Sequence, residues 1–175
     1  MSLRIGAGQY RSRRIDCPEG IRPTTDMAKG AIFSALGMVM HGKDVLDLFS
    51  GSGALGIEAL SRGADSVTFV DKSQQCIHAI TKNIAALGAL DNKVSIFRTD
   101  AMSFVLACVN TFDLILMDPP YHNGLASRLA PHVYRLLRPG GVIVIEHSPK
   151  EEIDMEAWKS RTYGDTMITF IMRSL

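Results

Sequence analysis

The chain has 175 residues, 46% hydrophobic and 21% charged, which suits one α/β domain with a real core and excludes a disordered chain. Its apolar runs, such as residues 142–145, are too short to span a bilayer. Net charge is only +1, yet the first 43 residues carry seven basic side chains against three acidic ones.

Four arginines (Arg4, Arg11, Arg13, Arg14) precede the first acid, Asp16. Such a segment reads either as a phosphate-binding surface or as a solvated charged face. No apolar stretch follows these arginines, so no secretory leader is expected. Cys17, Cys76 and Cys108 form no Cys-x-x-Cys pair, and His41, His78, His132 and His147 lack ligand spacing. Neither a disulfide framework nor a metal site is indicated, and a reducing cytoplasm is expected.

In chain order, residues 3–16 read as a short hairpin and residues 21–25 as an extended connector. Thr25 or Asp26 caps a helix whose apolar positions are Met27, Ala31, Ile32, Ala35, Leu36 and Val39. From Asp44 strands and helices alternate. Strands are expected at 45–49, 66–70, 94–97, 112–117 and 142–146. Helices are expected at 54–61, 74–87, 101–108 and 125–137, the last stopped by Pro139-Gly140-Gly141. Residues 158–163 and 167–172 read as a closing antiparallel pair around Gly164-Asp165. Alternation of this kind implies right-handed crossovers and a mostly parallel sheet, with ligands beyond the carboxyl ends of its strands.

Gly51-x-Gly53-x-x-Gly56 follows the first of these strands and opens a helix, a nucleotide-type fingerprint. The first two glycines permit a tight turn and close approach to a ligand; the third lets the helix pack near the strand. Asp71 lies 20 residues past Gly51, placed to accept hydrogen bonds from ribose hydroxyls. Asp47 precedes the loop by four residues, where an acid repels a pyrophosphate but suits a ligand ammonium. Asp100 can accept from an adenine amino group. Together these favour S-adenosylmethionine over a dinucleotide.

Asp118-Pro119-Pro120-Tyr121 leaves an apolar strand rigidly, because proline fixes φ and cannot continue a ladder. The Asp118 carboxylate and a proline-flanked carbonyl can accept both N–H bonds of an exocyclic amine. That aims the nitrogen lone pair and stabilises the positive charge developing on nitrogen. Tyr121 can stack on a base, which is worth about 1–3 kcal/mol. This acceptor logic serves adenine N6 in DNA as well as guanine. A non-catalytic module binding NAD at the glycine loop is the alternative of another class. Glu146 and His147 are candidates to face the same pocket, His122 can touch substrate, and Trp158 is expected to pack at a core edge.

Four segments, Asp47-Leu-Phe-Ser-Gly-Ser-Gly53, Val70-Asp71, Thr99-Asp100-Ala101 and Asp118–Tyr121, stand in the usual order of class I methyltransferase motifs. With Arg22-Pro-Thr-Thr-Asp26 and the arginine-rich start, the chain resembles the RsmD family of bacterial methyltransferases acting on a guanine N2 of small-subunit (16S) ribosomal RNA. The resemblance departs from the family at Met27–Gly30, where members often carry more charge. It implies a Rossmann-like fold: a mostly parallel seven-stranded sheet with helices on both faces, residues 21–175, behind a basic hairpin extension, residues 1–20. It implies a cofactor site for S-adenosylmethionine of Thr24, Thr25, Asp47, Phe49, Ser50, Gly51, Gly53, Asp71, Lys72, Asp100 and Ala101. It implies that Asp118, Pro119, Pro120 and Tyr121 hold the guanine amine, and that Arg4, Arg11, Arg13, Arg14 and Arg22 contact RNA. The implied partner is 16S rRNA or a small-subunit assembly intermediate, met by a cytoplasmic monomer with no membrane attachment.

Overall fold

In the computed structural model, described for residues 2–21, 25–37, 40–89, 93–121 and 124–175, a two-stranded ribbon precedes one large sheet. The ribbon is β1 (Ser2–Arg4) and β2 (Arg14–Asp16), antiparallel. After α1 (Asp26–Leu36) the chain forms β3 (Asp44–Leu48), α2 (Ala54–Ser61), β4 (Ser66–Asp71), α3 (Gln74–Leu87), β5 (Val94–Arg98) and α4 (Ala101–Ala107). It continues through β6 (Phe112–Met117), α5 (Leu125–Tyr134), β7 (Leu137–His147), β8 (Lys159–Tyr163) and β9 (Thr166–Met172). The sheet order is β5-β4-β3-β6-β7-β9-β8, with the first five strands parallel and the last two joined antiparallel. The chain winds outward from β3 to β5, then returns to β6 on the other side. The crevice between β3 and β6 is thus the topological switch point, where such sheets bind ligands.

Both sheet faces are covered, so the central strands are apolar on both sides. Val45, Val67, Phe69 and Leu114 pack with α1–α3 in one core; Leu46, Val70, Ile115 and Met117 pack with α4 and α5 in the other. Neighbouring residues point to opposite faces, so a one-residue slip would invert every contact.

Two boundaries differ from the sequence expectation. The helix read over 125–137 ends at Tyr134, and Pro139-Gly140-Gly141 lies inside β7. Leu137 already pairs with Phe112, and the register then jumps so that Val142 meets Leu114. The intervening residues bulge, which is where a strand tolerates proline. A Cβ on Gly141 would sit 2.9 Å from the carbonyl oxygens of Arg138 and Asp113, so only glycine fits this crossing. In α1 the cap is Thr25, whose side chain accepts from the Ala28 N–H. Met27 is 72% exposed; Ala28, Ile32, Phe33 and Leu36 form the buried face, and Val39 lies outside the described residues.

The expected hairpin is present, and it is not a loose arm. Leu3, Ile5 and Ile15 belong to the larger core. Glu58 of α2, fully buried, accepts the Gly6 and Ala7 N–H groups at 2.8 and 3.1 Å. Lys29, 2% exposed, pairs with Glu58 at 3.4 Å and donates to the Arg4 carbonyl. Asn83 of α3 accepts from Asp16 N–H and donates to the carbonyls of Asp16 and Ser52. Lys29 therefore adds nothing to the surface charge that the sequence reading had counted. No helix among the described residues is long and apolar enough to cross a membrane.

Candidate active site

A cleft of about 640 Å³ opens at the carboxyl ends of β3, β4, β6 and β7. It begins at the turn after β3, where Phe49 adopts φ of +62°. A left-handed non-glycine residue is uncommon and marks a strained backbone held by its surroundings. Ser50 is the holder. Its hydroxyl donates to the Asp47 carbonyl at 2.6 Å and accepts the Val70 N–H at 3.0 Å, locking the ends of β3 and β4 together. Phe49, Ser50 and Gly51 then line the cleft.

Asp71, at the end of β4, lines the next wall. Its Oδ2 accepts the Gly51 N–H at 2.9 Å and its Oδ1 the Ser73 N–H at 2.8 Å. Each carboxylate oxygen has a second acceptor position, so Asp71 is oriented by the loop and can still take a ligand diol. Lys72 follows it along the wall. Asp100 caps α4, its Oδ1 accepting the Ser103 N–H at 3.1 Å, and with Ala101 forms the far wall.

Asp118, Pro119, Pro120 and Tyr121 close the opposite side, together with Glu146 of β7. The Tyr121 hydroxyl donates to Glu146 Oε1 at 2.9 Å and shares a 2.8 Å bond with Thr166 Oγ1 of β9. Burial, then the nearby Glu146 and Asp118 carboxylates, push the phenol above its ordinary value even against the Thr166 bond. Tyr121 is therefore a neutral, clamped ring.

Several sequence-predicted site residues lie elsewhere. Asp47 is 2% exposed and sits beneath the glycine loop, its Oδ2 accepting the Gly56 N–H at 2.8 Å. Burial foremost, then repulsion from Asp118 and Asp71, lifts its pKa to about 8 despite that bond. It braces the loop and does not line the cleft, so its predicted contact with a ligand ammonium is not seen. Gly53 begins α2 with its back to Ile57, Ile80 and Phe69, and does not line the cleft either. Gly56 does what the fingerprint implied: a Cβ there would lie 2.4 Å from the Phe69 ring. Thr25 caps α1 outside the cleft. Arg22, Thr24 and His122 lie outside the described residues.

Arg4, Arg11, Arg13 and Arg14 are exposed on the turn half of the hairpin, and Arg4 and Arg14 stand directly opposite each other. Arg13 donates to the Ala86 carbonyl at 2.6 Å. The turn packs on Ser61, the last residue of α2, through Gln9 and Tyr10 N–H groups. It thus lies about 12 Å, one length of α2, from the cleft rim.

The structure adds Ile21, Cys76 and Leu125 to the cleft. No local motif marked them: each reaches the site through the packing of its own element. Of the pair Glu146 and His147, strand alternation sends only Glu146 to the cleft; His147 is buried against Thr169 at 2.8 Å. Trp158 meets Phe170 edge-on at 6.3 Å, the expected edge packing. Among the described residues, no group of three His, Cys, Asp or Glu side chains is placed to hold a metal.

A family model described as Conserved hypothetical protein 95 matches residues 3–172. The chain belongs to this family, the RsmD family. The RsmD-family chain is 35% identical over 176 residues to YlbH of Bacillus subtilis, a candidate rRNA methyltransferase, covering 94% of this chain and 95% of that one. It is 33% identical over 172 residues to the ribosomal RNA small subunit methyltransferase D of Haemophilus influenzae, covering 93% and 89%. The solved structure of yhhF from Escherichia coli, a candidate methyltransferase, superposes with a TM-score of 0.90 at 28% identity over 99% of both chains. The RsmD-family fold is therefore the Rossmann-like class I methyltransferase fold, with its seven-stranded sheet and amino-terminal ribbon.

Proposed function

We propose that this chain transfers a methyl group from S-adenosylmethionine to the exocyclic N2 of a guanine in 16S ribosomal RNA, acting as a cytoplasmic monomer on the RNA or on a small-subunit assembly intermediate. One observation carries the reading. The Asp118–Tyr121 segment faces the same cleft as Asp71 and Asp100, so an amine-holding wall opposes a nucleoside-holding wall. The names of the relatives supply the RNA.

The residues present fit the cofactor. The cleft lies within the ordinary size for a ligand pocket, Asp71 suits a ribose diol, and Asp100 suits an adenine amino group beside Ile21 and Ala101. When bound, S-adenosylmethionine supplies an electrophilic methyl group on a sulfonium. The chain does the rest. Asp118 and a carbonyl of the proline pair accept the two amine N–H bonds, turning the nitrogen lone pair away from the ring and toward the donor. The N–C bond forms as the C–S bond breaks, with its electron pair returning to sulfur. Fixed acceptors stabilise the charge on nitrogen without reorganisation, and Asp118 takes one proton as it neutralises. Tyr121, immobile through Glu146 and Thr166, offers a pre-set stacking face.

The test is nucleoside mass mapping of 16S rRNA from a strain lacking the gene. One N2-methylguanosine is expected to vanish, to return with the wild-type gene, and to stay absent with Asp118→Ala. That variant should bind S-adenosylhomocysteine within about threefold of wild type, since uniform binding is untouched. An unchanged methylguanosine profile in the deletion strain would overturn the reading.

A further inference from the structure

Glu146 has no part in the transfer chemistry just described, yet it stands beside it. The parallel register pairs Met117 with Ile145. The next residues, Asp118 and Glu146, therefore leave neighbouring strands at one level, with backbones about 5 Å apart. Both line the cleft, and Glu146 is only 9% exposed. Its Oε1 is fixed by the Tyr121 hydroxyl, itself tied to Thr166. A carboxylate has about four acceptor positions, and Tyr121 uses one of them.

Two carboxylates side by side in a half-enclosed cleft repel each other. The ligand that best relieves them brings a row of N–H donors. Guanine carries one: its N1–H is adjacent to its N2 amino group. Adenine places an acceptor, its own N1, next to its amino group, and 2-aminopurine keeps the N2 amine but also has an acceptor at N1. A lone pair facing a carboxylate is a built-in rejection.

We propose that Glu146 is a specificity-determining residue whose carboxylate accepts the N1–H of the target guanine while Asp118 and the proline carbonyls hold its N2 amine. The inference rests on the guanine reading above, and it supplies what the Asp118–Tyr121 segment lacks, a group that tells guanine from other aminopurines. A bland alternative is that Glu146 only positions Tyr121.

The experiment uses the full chain and 16S RNA ligated to carry either guanine or 2-aminopurine at the mapped nucleotide, offered bare and assembled with small-subunit proteins. Wild type should favour guanine by roughly 100-fold or more in kcat/KM, as sites built around a substrate N–H do. Glu146→Gln places an amide that can donate to 2-aminopurine N1, so the preference should fall by about tenfold or more. Glu146→Ala should slow the guanine reaction and also compress the preference. Tyr121→Phe removes the clamp alone; it should slow both substrates and leave their ratio within about threefold. Calorimetry with S-adenosylhomocysteine confirms that each variant is folded. An unaltered ratio in both Glu146 variants, or an equal change in Tyr121→Phe, overturns the inference. Failure of wild type to methylate the guanine RNA in either form would instead overturn the guanine reading itself.

Discussion

Asp47 holds a proton at neutral pH because the glycine loop seals it from water, lifting its pKa from 3.8 to about 8. In the unfolded chain the same carboxyl ionises at its ordinary value. Between those two values the folded protein binds a proton that the unfolded chain does not. Stability from this group is therefore full below about pH 4 and is lost as pH rises toward 8. Asparagine keeps an acceptor for the Gly56 N–H but cannot ionise. Thermal melts from pH 5 to 8 should show wild type losing stability relative to Asp47→Asn as pH rises. A constant gap would mean that Asp47 does not titrate in this window. The residue also marks what a sequence can show of a site. Its type and its place before the glycine loop were legible, and so were Asp71, Asp100 and the Asp118–Tyr121 wall, because each sits at a strand end. Whether a carboxylate points into the cleft or under the loop depends on the pleat and on Gly56 closing over it, and no spacing rule records that.

At the scale of elements, Glu58 fastens four things to one helix: the Gly6 and Ala7 backbone, Arg62 at 2.8 Å, and Lys29 of α1. Removing it strands a buried ammonium and two backbone N–H groups. Glu58→Ala should cost about 3–5 kcal/mol in urea unfolding, the range for breaking a buried ion pair. Lys29→Met should cost less, because Glu58 keeps its other partners. Equal stabilities across the three proteins would show that the network carries no weight. Boundaries from β3 to β6 were readable because apolar strands and capped helices alternate there with glycine between them. The end of α5 was not. Pro139-Gly140-Gly141 is a strong stop signal, and it served a bulge instead, since Leu137 finds Phe112 as a partner before the proline is reached. A tertiary pairing outweighed the local signal.

For the whole molecule, charge and catalysis are set apart. The arginines crowd the hairpin turn at the foot of α2, while the cleft opens at its head. Arg4 and Arg14 face each other across the ribbon, a repulsive arrangement that a phosphate would relieve. Reversing Arg11, Arg13 and Arg14 to glutamate should weaken RNA binding and reduce its salt slope by about two to three, roughly one for each lost phosphate contact. An unchanged slope would put the RNA surface elsewhere.

The hairpin's apolar side has a different consequence. Leu3, Ile5 and Ile15 are 6%, 1% and 0% exposed, and the same short ribbon displays the arginines outward. Its two edges answer to different pressures. The outer edge is free to drift with the shape of the RNA. The inner edge is held to the volume and register of a closed core. Lineages of this family should therefore vary in the ribbon's charge pattern while keeping an alternating apolar rhythm along it. Cutting the ribbon away would not free a smaller enzyme, but would leave a greasy socket across α2 and α3 that invites clumping.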